Sequence, residues 1–185
     1  PSPIAIEVLP NRQSDYVARI GDELAYAVQY KNNSGIALAD FVIEAELVSE
    51  LLDFSTLETQ GSFNSVAKKI TWHASNTSNL RLVDAGASGE VGFRIKLKPM
   101  FPIQRLNDKN FYLRLNVRIE SPSVPYYLAA DKTRAEFELE TKVAGLILVE
   151  TNVFYRDAES GILNAGVMPP QVDKSTEYTV HWLVR

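Results

Sequence analysis

The strongest constraint on this chain is a hydrophobic period of two that recurs along its length. In "ELAYAVQY", Leu24, Tyr26, Val28 and Tyr30 share one side, and Glu23, Ala25, Ala27 and Gln29 the other. In "VGFRIKLK", Val91, Phe93, Ile95 and Leu97 alternate with Arg94, Lys96 and Lys98. "YLRLNVRI" sets Leu113, Leu115, Val117 and Ile119 against Arg114, Asn116 and Arg118, and "AEFELETKV" sets Phe137 and Leu139 against Glu136, Glu138 and Glu140. Side chains of a strand point alternately to opposite faces, so each segment predicts a strand with one dry and one wet face. Such strands belong in an antiparallel sheet solvated on one side. The clusters "KNNSG", "DAGASGE", "RLNDKN", "ESPSVP" and "YRDAESG" supply the turns. Only "FVIEAELVSELLDF" carries a competing helical signal, with Ile43, Leu47 and Leu51 at a spacing of four. Its first half also alternates, which predicts a strand to about residue 48 and then a short irregular or helical turn before "LLDF". The expected fold is all-β, an Ig-like antiparallel β-sandwich of about seven to nine strands. Its core is expected to hold Tyr26, Val28, Tyr30, Trp72, Phe93, Ile95 and Leu115, with Gly21, Gly35 and Gly89 at turns.

A chain of 185 residues is one large domain, or one domain and part of another. Its net charge of −4, from 19 basic and 23 acidic residues, lacks the basic surplus of a nucleic-acid binder. No run of like charges marks a polybasic anchor, so neither nucleic acid nor membrane is an expected partner of this segment. The absence of cysteine excludes disulfides, thiol catalysis, cysteine-based zinc sites and iron–sulfur clusters. No signal peptide or apolar span is present. The chain begins "PSPIAIEV" without Met and ends "HWLVR" inside a strand pattern, which reads as a piece of something longer.

The C-terminal pattern echoes the N-terminal one. Aligning Tyr26 with Tyr178 brings Val28 to Val180 and Tyr30 to Trp182. Upstream, "PIAIEV" has a counterpart in "GLILVE" at residues 145–150. Self-similarity of this kind points to repeated modules. The expected organisation is a β-sandwich repeat at 1–142 and the first two strands of an incomplete second repeat at 143–185. The alternative is one enlarged sandwich. An incomplete module would leave Tyr178, Val180 and Trp182 on an uncovered apolar face, so they are expected to pack against the first module, another copy or another chain.

"IGDELAYAVQYKNNSGIALADFVIEAEL" resembles bacterial surface repeats of the DUF11-like, immunoglobulin-like class. The shared pattern is a Gly-Asp turn, a Tyr-x-Val-x-Tyr strand, "NNSG", and then an alternating strand. "LLDFST", "KKITWHASN" and "RLVDAGASGEVGFRIKLK" follow in that class's order, and "ILNAGVMPPQVDKSTEYTVHW" is similar to the start of a further repeat. The likeness covers roughly residues 18–100 and 145–185. It implies β-sandwich modules strung together in an extracellular protein of the bacterial cell surface, with neighbouring modules as partners and no shared catalytic residues.

The residues that could carry chemistry are few. His73 and His181 stand beside Trp72 and Trp182, and if each Trp points inward each His points outward. No nucleophile elbow, zinc-helix motif or phosphate loop occurs. Calcium needs six to eight oxygens. "YRDAESG" offers Asp157 and Glu159 as weak calcium candidates, and "LNDKN" offers Asp108 with Asn107 and Asn110. An intramolecular Lys–Asn bond needs both groups on inward faces. Lys96, Lys98 and Asn116 fall on the polar phase, which leaves Lys31 and Lys69. Adjacent Tyr126 and Tyr127 cannot both face inward on one strand. The residues therefore favour a non-enzymatic structural or stalk module. The alternative is an adhesin-like module that recognises glycan or protein through loops or a sheet edge.

Overall fold

The computed structural model describes residues 2–102, 111–123, 133–145 and 149–184. The chain falls into two compact units, Pro1–Ala144 and Gly145–Arg185. In the first, the strands in chain order are β1 (Ile4–Pro10), β2 (Glu23–Asn32), β3 (Leu38–Ala39), β4 (Val42–Val48), β5 (Leu52–Thr59), β6 (Ser62–Asn64), β7 (Lys69–Trp72), β8 (Leu82–Val83), β9 (Ser88–Leu97), β10 (Tyr112–Glu120) and β11 (Arg134–Lys142). One sheet has the order β1-β2-β9-β5, and the other β11-β10-β4-β7-β6. The strand pairs of both sheets are antiparallel. The chain changes sheet between β2 and β4, β4 and β5, β5 and β6, β7 and β9, and β9 and β10. That division is the Ig-like one, with A-B-E-D on one layer and G-F-C on the other. The second unit is a hairpin sheet of β12 (Val149–Phe154) and β13 (Thr179–Val184).

The alternation read from the sequence becomes the interior of the first unit. Tyr26, Val28, Tyr30, Trp72, Phe93, Ile95 and Leu115 are all buried in one core cluster. Trp72, from the five-stranded sheet, lies 6.3 Å from Phe93 of the facing sheet, and Phe93 stacks on Tyr26 at 4.9 Å. The outward phase of the five-stranded sheet is charged. β10 carries Arg114 and Arg118, flanked by Glu44 and Glu46 of β4 and by Glu136, Glu138 and Glu140 of β11. Arg114 reaches Glu138 at 3.0 Å, and Lys69 reaches Glu44 at 3.2 Å. Exposed pairs of this kind add little stability. Their consequence is that this face stays in water.

The turn motifs have physical reasons. In "KNNSG", Asn32 is fully buried. Its amide donates to Ile36 O at 2.7 Å and to Val83 O at 2.8 Å, and its Oδ1 accepts the Ser34 N–H at 3.0 Å. One side chain thus ties the end of β2 to β8. Gly35 and Gly21 sit at φ +80, a region that favours glycine. Gly89 is a correction. It lies inside β9 opposite Tyr30, and a Cβ there would stand 2.3 Å from the Tyr30 hydroxyl. Its lack of a side chain makes room for Tyr30; the turn glycine of that loop is Gly86. β4 ends at Val48, and an irregular turn precedes β5, where Leu51 N–H donates to Ser49 Oγ at 3.1 Å.

Trp72→Ala should cost about 3–5 kcal/mol in denaturant unfolding, because the largest side chain between the sheets leaves a cavity. Burial also pushes the Tyr26 phenol up to about 12. A group whose folded pKa is raised stabilises fully below its unfolded value, about 10, and that contribution is lost as pH rises through the folded one. Stability should therefore stay flat to about pH 10 and fall towards about pH 12. Tyr26→Phe should make that alkaline limb shallower in urea titrations at stepped pH, with the part due to Tyr16 and Tyr30, whose phenols are also raised, remaining.

Candidate functional site

The second unit brings together residues far apart in sequence. Val149 pairs with Val184, Thr151 with Trp182 and Val153 with Val180. The loop that follows β12 is fastened to β13 by Asp157. Its side chain is only 4% exposed, and its Oδ2 stands 2.5 Å from His181 Nε2. Its Oδ1 accepts the Glu159 N–H at 3.2 Å and the Ser160 N–H at 3.4 Å. Hydrogen bonding from Ser160 holds the Asp157 carboxyl below the ordinary carboxylate range; burial opposes this, and the His181 contact adds to it. The ion pair requires protonated imidazole. Asn164 completes the loop's anchorage, donating to Phe154 O and to Tyr155 O at 3.1 Å each.

Of the two calcium candidates, Asp157 is buried with both oxygens engaged, and Glu159 is exposed and meets Asp157 through its backbone N–H. Among the described residues no group of three or more His, Asp or Glu side chains is placed to hold a metal ion. His73 faces outward as expected beside buried Trp72, with its Nδ1 2.6 Å from Ser75 Oγ. At the second histidine the expectation reverses. Trp182 is 74% exposed, while His181 turns to Asp157. Strand alternation could not reveal this pairing, because its partner lies across a long loop. Lys69 binds Glu44, and Asn116 donates to Glu46 at 3.3 Å, so neither contacts the other. Asn107, Asp108, Asn110, Tyr126 and Tyr127 lie outside the described residues.

The hairpin can be set against β1 and β2 through the alignment of Tyr178, Val180 and Trp182 with Tyr26, Val28 and Tyr30. Val8 pairs with Val28 and Ile4 with Asn32; Val153 pairs with Val180 and Val149 with Val184. On that alignment the first strand is displaced by 145 positions and the second by 152. Tyr155 and Tyr178 stand where Pro10 and Tyr26 stand, and their rings meet at 6.1 Å. The counterpart of Val8 is therefore Val153. The upstream match expected at "GLILVE" falls three residues short of it and lies partly outside the described residues.

The fold and this hairpin define the class as an all-β, Ig-like antiparallel sandwich. A scan against protein-family models finds no match, and a search of curated proteins finds none either. Solved structures that resemble the chain include the CARDB domain of a Pyrococcus furiosus protein, at 13% identity and TM-score 0.43 over 76% of this chain and 87% of that one. BcpA, the major pilin subunit of Bacillus cereus, aligns at 9% identity and TM-score 0.47 over 98% of this chain and 55% of its own. The major pilin SpaD of Corynebacterium diphtheriae aligns at 15% identity and TM-score 0.42 over 88% of this chain and 41% of its own.

The Asp157 fastening has a pH signature. A carboxylate whose folded pKa is depressed stabilises above its unfolded value, about 3.9, and that contribution is lost as pH falls through the folded one. Protection factors for the Glu159 and Ser160 amides should hold at pH 5 and collapse below about 3.9. In Asp157→Asn they should be low throughout, with no acid step.

Proposed function

We propose that this chain is a non-enzymatic structural module, a stalk β-sandwich of a repetitive bacterial cell-surface protein. The observation that carries the reading is the sequence echo of Tyr26, Val28 and Tyr30 in Tyr178, Val180 and Trp182, whose strand β13 pairs with β12 in a second antiparallel hairpin. On this reading residues 143–185 are the first strands of a second module, and neighbouring modules are the partners. Repetition sets the reach of such a stalk, and each sandwich resists extension.

The first unit has a device suited to that load. Beyond β1 the chain crosses to the other sheet, where Ala18 bridges Val143 in parallel. Ala18 N–H donates to Lys142 O at 2.9 Å, and Ala144 N–H donates to Ala18 O at 2.8 Å. Once β1 has parted from β2, tension on Ala18 and on Ala144 runs along the paired segments, so both bonds are sheared together rather than opened one at a time.

In single-molecule stretching of the 185-residue chain, the first unit should unfold in one event that releases about 500 Å of contour. Ala144→Pro removes one donor of the bridge and should lower the rupture force. Extension without a discrete unfolding event would overturn the stalk reading; an unchanged force in the variant would remove the bridge from it.

A further inference from the structure

β9 is an inner strand for only part of its length. Its odd-numbered end neighbours face β2: Asn32 N–H donates to Ala87 O at 2.9 Å, and Leu97 N–H donates to Asp22 O at 2.8 Å. The even-numbered residues therefore turn their backbone groups to the opposite side, as alternation in an antiparallel ladder requires. There β5 serves the C-terminal half alone. It pairs Asp53 with Lys96 and Glu58 with Arg94, and its final pair is Thr59 with Phe93. At Gln60 and Gly61 the chain leaves for the other sheet, where β6 pairs with β7. A Cβ on Gly61 would stand 2.6 Å from Ile70 and 2.9 Å from Trp72, so this corner is drawn tight over the core. Among the described residues no strand pairs with Ser88, Glu90 or Gly92 on that side, and all three are exposed. Gly92 O meets only the Thr59 hydroxyl there, at 3.4 Å.

A cleft of about 530 Å³ runs along this free edge. It opens on the outer face over Ala25, Ala27 and Gly92 and reaches round β9 towards Trp72. Its outer walls are charged. Arg12 bridges Glu90 at 3.5 Å. Arg12 is held there by two consecutive left-handed residues, Asn11 at φ 47 and Arg12 at φ 59, and Asn11 Oδ1 accepts the Ala25 N–H at 2.8 Å. Arg94 lines the same cleft opposite Glu58 of β5, which also lines it, and makes no ion pair among the described residues.

We propose that the free edge at Ser88–Gly92 takes an extended peptide of a partner protein by strand addition, antiparallel to β9, with an acidic side chain beside Arg94. The main chain would supply affinity through the unpaired backbone groups of Ser88 and Glu90 and the N–H of Gly92, and alternate side chains would supply selectivity. A residue opposite Gly92 projects on the outer face, where Gly92 offers no side chain in its way and Arg94 is a diagonal neighbour within reach of a long side chain. Residues opposite Val91 and Gly89 turn inward, so they are apolar. The outer face of the five-stranded sheet is a charge ladder and offers no comparable recess. This inference does not rest on the stalk reading, since a load-bearing module and an inert one present the same edge.

The test uses the full 185-residue chain and the peptide acetyl-Glu-Ile-Lys-Val-Thr-amide. Amide shift changes should centre on Ser88, Glu90 and Gly92, and exchange at Glu90 and Gly92 should slow by about tenfold at saturation. The same peptide methylated on the alternate backbone nitrogens that face β9 should bind about tenfold more weakly. Arg94→Glu should weaken binding by about fivefold, and placing Lys first in the peptide should restore it; Arg94→Gln reports the same loss should the charge reversal disturb folding. Unchanged exchange at Glu90 and Gly92, equal binding of the methylated peptide, or indifference to both Arg94 variants would overturn the proposal.

Discussion

Two sheets of alternating strands hold together only if their inner faces meet without voids, and here that meeting is centred on Trp72 against Phe93 and Tyr26. Aromatic side chains bury more area than any other type, and their mutual contact adds about 0.5–1.5 kcal/mol beyond burial. Much of the local chain geometry serves this contact. Gly61 lets the corner between β5 and β6 lie on the Trp72 ring, and Gly89 lets the Tyr30 ring lie across β9. Both glycines are needed for want of space rather than for conformational freedom; neither has a positive φ. The tight corner at Gly61 is also what takes the chain away from β9 and leaves that strand's first half without a neighbour. The free edge is thus a consequence of how the core is closed.

The two outer faces have diverged. On the five-stranded sheet a cationic strand lies between two anionic ones, so the face is solvated and its register is reinforced by charge. Across the four-stranded sheet, Leu9, Ala27 and Gly92 form one outward row of small or apolar groups. A row of that kind cannot repel an incoming strand through bulk or like charge. Edge strands are commonly protected by charge or by covering segments. Here Arg12 lies across the row through its Glu90 contact, with Arg94 alongside.

The architecture was legible because the dry and wet faces are nearly pure. Leu24, Tyr26, Val28 and Tyr30 were readable as one face, and they are buried together. Gly89 was misread because a glycine beside Gly86 looks like turn chemistry, and its real partner, Tyr30, sits 59 positions away across a strand pair. Asp157 was visible as a loop carboxylate but not as the partner of His181, because a loop's conformation decides which distant strand it touches. Trp182 occupies a strand pattern like that of Trp72, yet it is 74% exposed where Trp72 is buried. Alternation says which residues share a face, and it is silent on whether a second sheet covers that face.

That distinction bears on the hairpin. The face of β12 and β13 that holds Val149, Thr151, Val153, Val180, Trp182 and Val184 corresponds by register to Ile4, Ile6, Val8, Val28, Tyr30 and Asn32. In the first unit Ile4, Val8, Val28 and Tyr30 are buried beneath the facing sheet. In the hairpin Val149, Val153 and Val180 are each about half exposed. The loops joining the strands differ in length. Loop length costs little, since closure entropy grows only logarithmically, whereas a slip of one residue would turn every apolar side chain to the other face. What the two hairpins share is an alternating apolar face, which such a slip would turn over. An isolated two-stranded sheet is marginal in water, and a face of this composition is half of a core. On the proposed reading, the hairpin supplies the A–B layer of a second sandwich.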